Sequence, residues 1–518
     1  MRPNHFHMGL DLGTESRENL PVYAPADGFV SRMKIETGGF GRAIYIDHPN
    51  GTTTLYAHMN AFMPAAESYL ENQQYKSESW KIDVTVPSGT IPVKKGQFIG
   101  YSGNTGASQG PHVHFEIRDT KTENCLNPLL YRFGIPDNTP PDVYRIAFYN
   151  RDKSVYEQSP VLVPLIKKGA IRTTATPIKL PFKRTFIALQ ATDRVTGFPN
   201  ANGIYSASLT QNQRVLSTFT LDEIGYDKTR FINGHIDYVY RSKGGAYLQM
   251  LFPSTRFTLP IYDNPSGKNF AELSDEPELF ELTVEDTEGN KTKIEFQVYT
   301  SASETPQKKA TPHRMIPGET NIYEDQSVQF VFGENCFYDS FDFEVKSFYA
   351  NPGEALSSVV QALPEFIPVQ DYFSVTIKPS RPFALVNRDR VVIKRTYKSK
   401  TDLKKATANR DGFSASFRDF GFFQLIQDEE PPTITPLTVN GALVKNGSKI
   451  AVEVADNLHV IREFNGYAGE QWLMFKPSGN RFVYTVDEHL PTGEHTLSFV
   501  VYDEAGNKTQ RDLKIKKL

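Results

Sequence analysis

Only two cysteines, Cys125 and Cys336, occur in the 518 residues, and they lie far apart. Two such residues build neither a disulfide framework nor a thiolate metal cluster, so a pair of buried free thiols is the expectation. No run approaches 18 consecutive apolar residues, and no segment reads as a membrane-spanning helix. Neither sign of charge is in excess. The 57 Lys and Arg against 60 Asp and Glu leave −3, and no basic run offers the footprint of a nucleic-acid binder. The start of the chain does not read as a signal peptide either, because Met1-Arg-Pro-Asn leads directly into a histidine-bearing segment.

Tyr (25), Phe (36), Gly (35) and Pro (34) are plentiful, a mixture that favours strands and turns over long helices. The length implies about three or four domains. Of the eleven histidines, six (5, 7, 48, 58, 112 and 114) fall within the first 114 residues. Ser102 to Arg118 reads as a Gly-, Ser- and Thr-rich loop ending in Gly110-Pro111 that feeds a half-buried strand. Alternation puts His112, His114 and Glu116 on one face and Val113, Phe115 and Ile117 on the other. Two imidazoles at i and i+2 suit one metal ligand beside one general base. His7 and Asp11, spaced by four around Gly9, and His58 in Leu55-Tyr-Ala-His58 supply further nitrogen and oxygen donors.

His7-x-Gly-x-Asp11, Tyr56-x-His58, Gly103-Asn-Thr-Gly and Gly110-Pro-His-x-His-Phe-Glu116 together resemble the lysostaphin/LytM-type zinc metalloendopeptidases that cut peptidoglycan cross-links. The resemblance covers roughly residues 5–133 and includes the runs Pro21–Gly28, Ile46–His48 and Val93–Gly100. It implies Zn2+ held by His7, Asp11 and His114, with His112 as the base and His58 as its partner near the developing oxyanion. Peptidoglycan stem peptides are the implied substrate, with a D,D-endopeptidase the leading expectation. The alternative is a non-catalytic cell-wall-binding protein or an activator of another wall hydrolase. An extracytoplasmic location in periplasm or cell envelope also follows, with the export signal expected upstream of this chain. Of the remaining polar residues, His5 is a poor ligand candidate beside the His7–Asp11 spacing. His48 is expected to pack structurally, Glu116 to fix a ligand tautomer, and Asn104 and Thr105 to shape their loop.

Residues 19–60 read as a β-meander punctuated by Asp27-Gly28, Gly38-Gly39 and Asn50-Gly51. Pro64–Lys76 is helix-competent and Trp80–Val86 strand-like, an insertion beside His58 that either walls a substrate groove, narrowing specificity or access, or is a surface elaboration that only adds stability. After it the composition shifts. Asp137-Asn-Thr-Pro-Pro141 and Asp428-Glu-Glu-Pro-Pro432 open two similar stretches. Asp286-Thr-Glu-Gly-Asn290 and Asp503-Glu-Ala-Gly-Asn507 close them, and Ala191-Thr-Asp193 corresponds to Ala455-Asp-Asn457. This internal repeat resembles bacterial immunoglobulin-like β-sandwich modules. The expected fold is mainly β: a metallopeptidase domain over 1–136, immunoglobulin-like domains over 137–303 (with insertions) and 430–518, and a further β domain over 304–429. A polar linker is read at 301–313 and a short helix at Pro352–Gln361. The β modules are assigned a wall or protein partner, and no chemistry is assigned to His235, His313, His459, His489 or His495.

Overall fold

The computed structural model describes residues 4–131, 133–168, 171–198, 200–254, 259–302, 311, 313–349, 355–380, 382 and 386–518. Residues 303–310 and 312 of the expected linker, and 352–354 of the expected short helix, lie outside the described residues. The rest of that helical stretch includes the strand Val359–Leu363, whose β-branched Val359-Val360 favours extended backbone.

The first domain contains strands β1 (Leu10–Gly13), β2 (Pro21–Tyr23), β3 (Gly28–Ile35), β4 (Arg42–Asp47), β5 (Thr52–Ala57) and β6 (Ala61–Phe62), then helix α1 (Pro64–Lys76). Strands β7 (Ile82–Thr85), β8 (Pro92–Val93), β9 (Phe98–Tyr101), β10 (His112–Asp119) and β11 (Cys125–Leu126) follow. The expected meander is β3–β4–β5, and Gly51 at φ +83° closes its second hairpin. β2 departs from that expectation, pairing instead with β9, whose other edge takes β6, in a separate three-stranded sheet. The main sheet runs β11-β10-β5-β4-β3-β7, with β1 also on β10 and β8 also on β3. Its far edge is completed by Glu223–Ile224, a strand from beyond residue 137 that pairs with β11.

This arrangement changes the expected character of β10. It lies between β1 and β5, and its side chains are buried on both faces. His114, Glu116 and Arg118 are as buried as Val113, Phe115 and Ile117. β1 is held against it in register, Asp11 opposite His114 and Gly13 opposite His112. Gly9 makes the close approach possible, since a Cβ there would stand 2.2 Å from the Phe115 carbonyl oxygen and 2.8 Å from Glu116 Cγ.

Beyond residue 137 the chain is a series of paired sheets. Sheets of five and eight strands built from residues 142–300 enclose a core that includes Phe148, Phe219, Phe280 and Phe296. Two five-stranded sheets between 321 and 427 enclose a Phe-rich core. Sheets of four and five strands from 433 to 517 pack around Val452, Phe475 and Phe499. The cores cross the sequence boundaries. Phe6, Met8 and Cys125 join the core of the second unit, and Tyr156 and Val239 join that of the third. Cys125 and Cys336 are buried and unbridged.

α1 begins at Pro64 as expected, but its far end braces the last unit. The Tyr75 ring stacks on His489 with centroids 3.5 Å apart, and its hydroxyl donates to Asp487 Oδ2 at 3.2 Å.

Gly9→Ala is expected to push β1 off β10 and to destabilise the protein by about 1–3 kcal/mol, the range for overpacking a tight contact. Urea denaturation checks this, and unchanged stability would mean that β1 tolerates a displaced register.

Candidate metal centre

Three ligand-type atoms converge where β1 crosses β10. His7 Nε2 is 3.0 Å from Asp11 Oδ1 and 3.0 Å from His114 Nδ1, and His114 Nδ1 is 3.1 Å from Asp11 Oδ1. The local chain explains the convergence. His7 precedes the glycine that lets the strand approach, while Asp11 and His114 are cross-strand partners. His112, two residues before His114 on the same face, brings its Nε2 to 3.4 Å from Asp11 Oδ1. His58 packs beside it, with ring centroids 4.7 Å apart. All five residues singled out from the sequence are therefore brought together. His5 stands outside the convergent group, and His48 is tied up structurally, bonding Asp27 O and Thr54 Oγ1, each at 2.8 Å.

Hydrogen bonds set each imidazole's tautomer. His114 Nε2 donates to Glu116 Oε1 at 2.8 Å, which turns Nδ1 toward His7 and Asp11 as the nitrogen that would face a bound metal. His112 Nδ1 donates to Gly110 O at 2.7 Å, so its Nε2 carries a lone pair, and that buried atom has no hydrogen-bond partner. His58 Nδ1 donates to Thr105 O at 2.8 Å. His58 adopts φ +61°, a left-handed backbone uncommon for a side chain of this kind. Thr105, which packs through its own hydroxyl against Met59 O and Arg42 N, holds it there. Burial pushes the His58 pKa down to about 4, so the ring is neutral near pH 7.

Glu116 anchors this face. Burial opposes its charge, but His114, Arg118 and the Tyr226 hydroxyl outweigh burial and hold its pKa below the usual carboxylate range. Arg118 Nε donates to Oε2 at 2.8 Å, Cys125 Sγ lies 3.4 Å from the same oxygen, and the Tyr226 hydroxyl donates to Oε1. For His114, burial is likewise outweighed by Asp11 and Glu116, and its pKa is raised. Sequence reasoning missed Arg118 and Tyr226. Arg118 continues the alternation 112, 114, 116 and was findable. Tyr226 lies 110 residues away and carries no local signal.

Two nitrogens and one carboxylate oxygen, with one side open toward His112 and His58, fit a catalytic zinc site. Asp11 and His7 are 36% and 22% exposed, whereas His114 is 5% exposed, so the open side faces solvent.

The profile of peptidase family M23 matches residues 5–75 and 81–128, and that of the Zu5-like domain matches residues 313–428. The N-terminal part of the chain carries an M23 peptidase domain. It is 33% identical over 136 residues to the DD-carboxypeptidase/endopeptidase Mpg of Neisseria meningitidis serogroup B, covering 26% of this chain and 25% of that one. An uncharacterized metalloprotease of Haemophilus influenzae is 33% identical over 126 residues, covering 24% of this chain and 21% of that one. Thus the match spans about a quarter of these relatives' length. Among solved structures, the catalytic domain of the prophage-encoded M23 protein EnpA from Enterococcus faecalis is 25% identical, covering 24% of this chain and 76% of that one, with a TM-score of 0.18.

The coupled pair predicts a bell-shaped pH dependence of stability for the metal-free protein. Glu116, with its pKa lowered by folding, stabilises above its unfolded value of about 4.3 and loses this as pH falls. His114, raised by folding, stabilises fully below about 6.5 and loses this as pH rises through its folded value. Urea titrations between pH 3 and 8 should show both limbs flattened in Glu116→Gln. Tyr226→Phe, which removes one donor from a buried carboxylate, should cost about 1–3 kcal/mol in the same assay.

Proposed function

We propose that the protein is a zinc-dependent endopeptidase that hydrolyses stem-peptide cross-links of bacterial peptidoglycan, outside the cytoplasm, with D,D-endopeptidase activity as the leading specificity. The observation that carries this reading is the convergence of His7 Nε2, Asp11 Oδ1 and His114 Nδ1, with His112 Nε2 buried 3.4 Å from Asp11 Oδ1. His7, Asp11 and His114 hold the ion. Zinc supplies Lewis acidity for the scissile carbonyl and for the attacking water.

The remaining chemistry belongs to side chains. His112, its ring fixed by the Gly110 carbonyl, accepts the proton of the attacking water at Nε2 and is placed to return it to the leaving amine. His58 starts neutral, and the proton on Nδ1 is committed to Thr105 O. Its Nε2 therefore donates to the oxyanion only after the histidine pair has gained a proton. Glu116, with Arg118 and Tyr226 behind it, keeps the His114 lone pair directed at the ion. A non-catalytic wall-binding role leaves unexplained why the ligand set, the base and their supporting hydrogen bonds are all present. We further propose that the 137–303 and 430–518 units are immunoglobulin-like modules that position the peptidase on wall or partner protein.

The test is zinc content measured together with release of cleaved muropeptides from purified peptidoglycan. One zinc per chain is expected. In His112→Ala the zinc should remain while product release falls by about 10²–10⁴-fold, the worth of a positioned general base. Absence of both zinc and turnover in the native chain would overturn the enzyme reading.

A further inference from the structure

Each of the two repeated β units carries an acidic triad at corresponding positions. In the first, Asp137 of the opening run, Asp193 just after the strand Arg184–Thr192, and Asp286 just after Glu278–Glu285 each bring one carboxylate oxygen within 4.8 Å of the others. In the second, Asp428 of the opening run, Asp456 just after Lys449–Ala455, and Asp503 at the end of Gly493–Asp503 do the same. An asparagine four residues past the third acid ties each opening run down. Asn290 Nδ2 donates to Asp286 Oδ2 at 2.8 Å and Asp137 O at 3.1 Å, and Asn507 Nδ2 donates to Asp503 Oδ2 at 2.8 Å and Asp428 O at 2.9 Å.

Proximity alone would describe many acidic turns. Here, in addition, oxygens of the converging carboxylates are buried without any hydrogen-bond partner: Asp193 Oδ1 in one unit, Asp428 Oδ2 and Asp456 Oδ1 in the other. These residues are 4%, 1% and 8% exposed. Burial, then the Asp286 charge, pushes Asp193 up to about 6, and burial with neighbouring acids raises Asp428 and Asp456. Among the described residues no cation pairs with any of the six. Arg194, next to Asp193, directs its guanidinium to Asp142 Oδ2 at 3.2 Å. Lys405 and Arg390, near Asp503, donate to the carbonyls of Ala505 and Gly506 at 2.5 and 2.9 Å. Both triads thus present concentrated negative charge that the protein itself does not neutralise.

We infer that each triad is a calcium site, giving two per chain. The donors are oxygen only, with three carboxylates and no nitrogen or sulfur, which selects a hard cation over zinc. Calcium accepts six to eight oxygens in adaptable geometry, so carboxylates and carbonyls from three separate loops can share it. Each site gathers the run that enters its unit, the end of an inner strand and the last hairpin. Asp137 follows the peptidase domain and Asp428 follows the third β unit, so each ion stiffens a junction between consecutive units.

To test this, the full chain is passed over chelating resin, given back one equivalent of Zn2+ and titrated calorimetrically with Ca2+. The titration runs to about 5 mM, above the weak range of extracellular calcium modules. Two Ca2+ per chain are expected, one in Asp193→Asn or in Asp456→Asn, and none in the double variant. A rise in Tm with Ca2+ should follow the same order, with a smaller response to Mg2+. The Asn variants relieve like-charge repulsion, so in calcium-free buffer their Tm and far-UV circular dichroism should match or exceed the native chain, which separates loss of a ligand from loss of the fold. A native chain that binds no Ca2+, or a folded double variant that still binds two, overturns the assignment.

Discussion

Glu116 carries its charge at a position with no solvent exposure. An isolated carboxylate there would cost several kcal/mol, so its burial depends on the groups around it. His114 Nε2 and Arg118 come from its own strand, Cys125 from β11, and the Tyr226 hydroxyl from the second unit. Arg118 is itself stacked over the Tyr226 ring, 4.4 Å from its centroid. The carboxylate therefore has two effects with one cause. It orients the His114 imidazole, and it draws the second unit against the peptidase sheet.

Other contacts also tie the first unit to its neighbours. Glu223–Ile224 extends the peptidase sheet, and Phe6 N donates to Thr229 O from the N-terminal side. Phe6 and Met8 are buried in the neighbour's core only one residue to either side of His7. At the other end of the chain, Tyr75 of the inserted helix packs on His489 and Trp472 of the last unit. Within the stretch from 61 to 90, read from sequence as either a groove wall or a stabilising elaboration, Tyr75 joins the first unit to the last.

Much was legible without coordinates. The hairpin turn at Asn50-Gly51 closes β4 on β5 as expected, and α1 begins at its proline. Alternation along β10 placed His112 and His114 together, and the spacing around Gly9 placed His7 with Asp11. Two misreadings have physical causes. Alternation made β10 look half-buried because local pattern does not show that Tyr226 and Phe40 cover its polar face. β2 looked like part of the meander because its pairing with β9 spans about eighty residues, beyond any local signal.

By itself the sequence determined which residue types could bind and move a proton, which periodicity carried them, and that two units repeat. These are properties of neighbours along the chain, where residue spacing dictates face and turn chemistry. Tertiary structure alone decided the protonation geometry and the partnerships between distant segments. The tautomers of His58, His112 and His114 follow from acceptors at Thr105, Gly110 and Glu116. The closure of each acidic triad brings together residues from three separate loops. Such contacts are set by how the sheets pack, and that depends on burial summed over the whole chain.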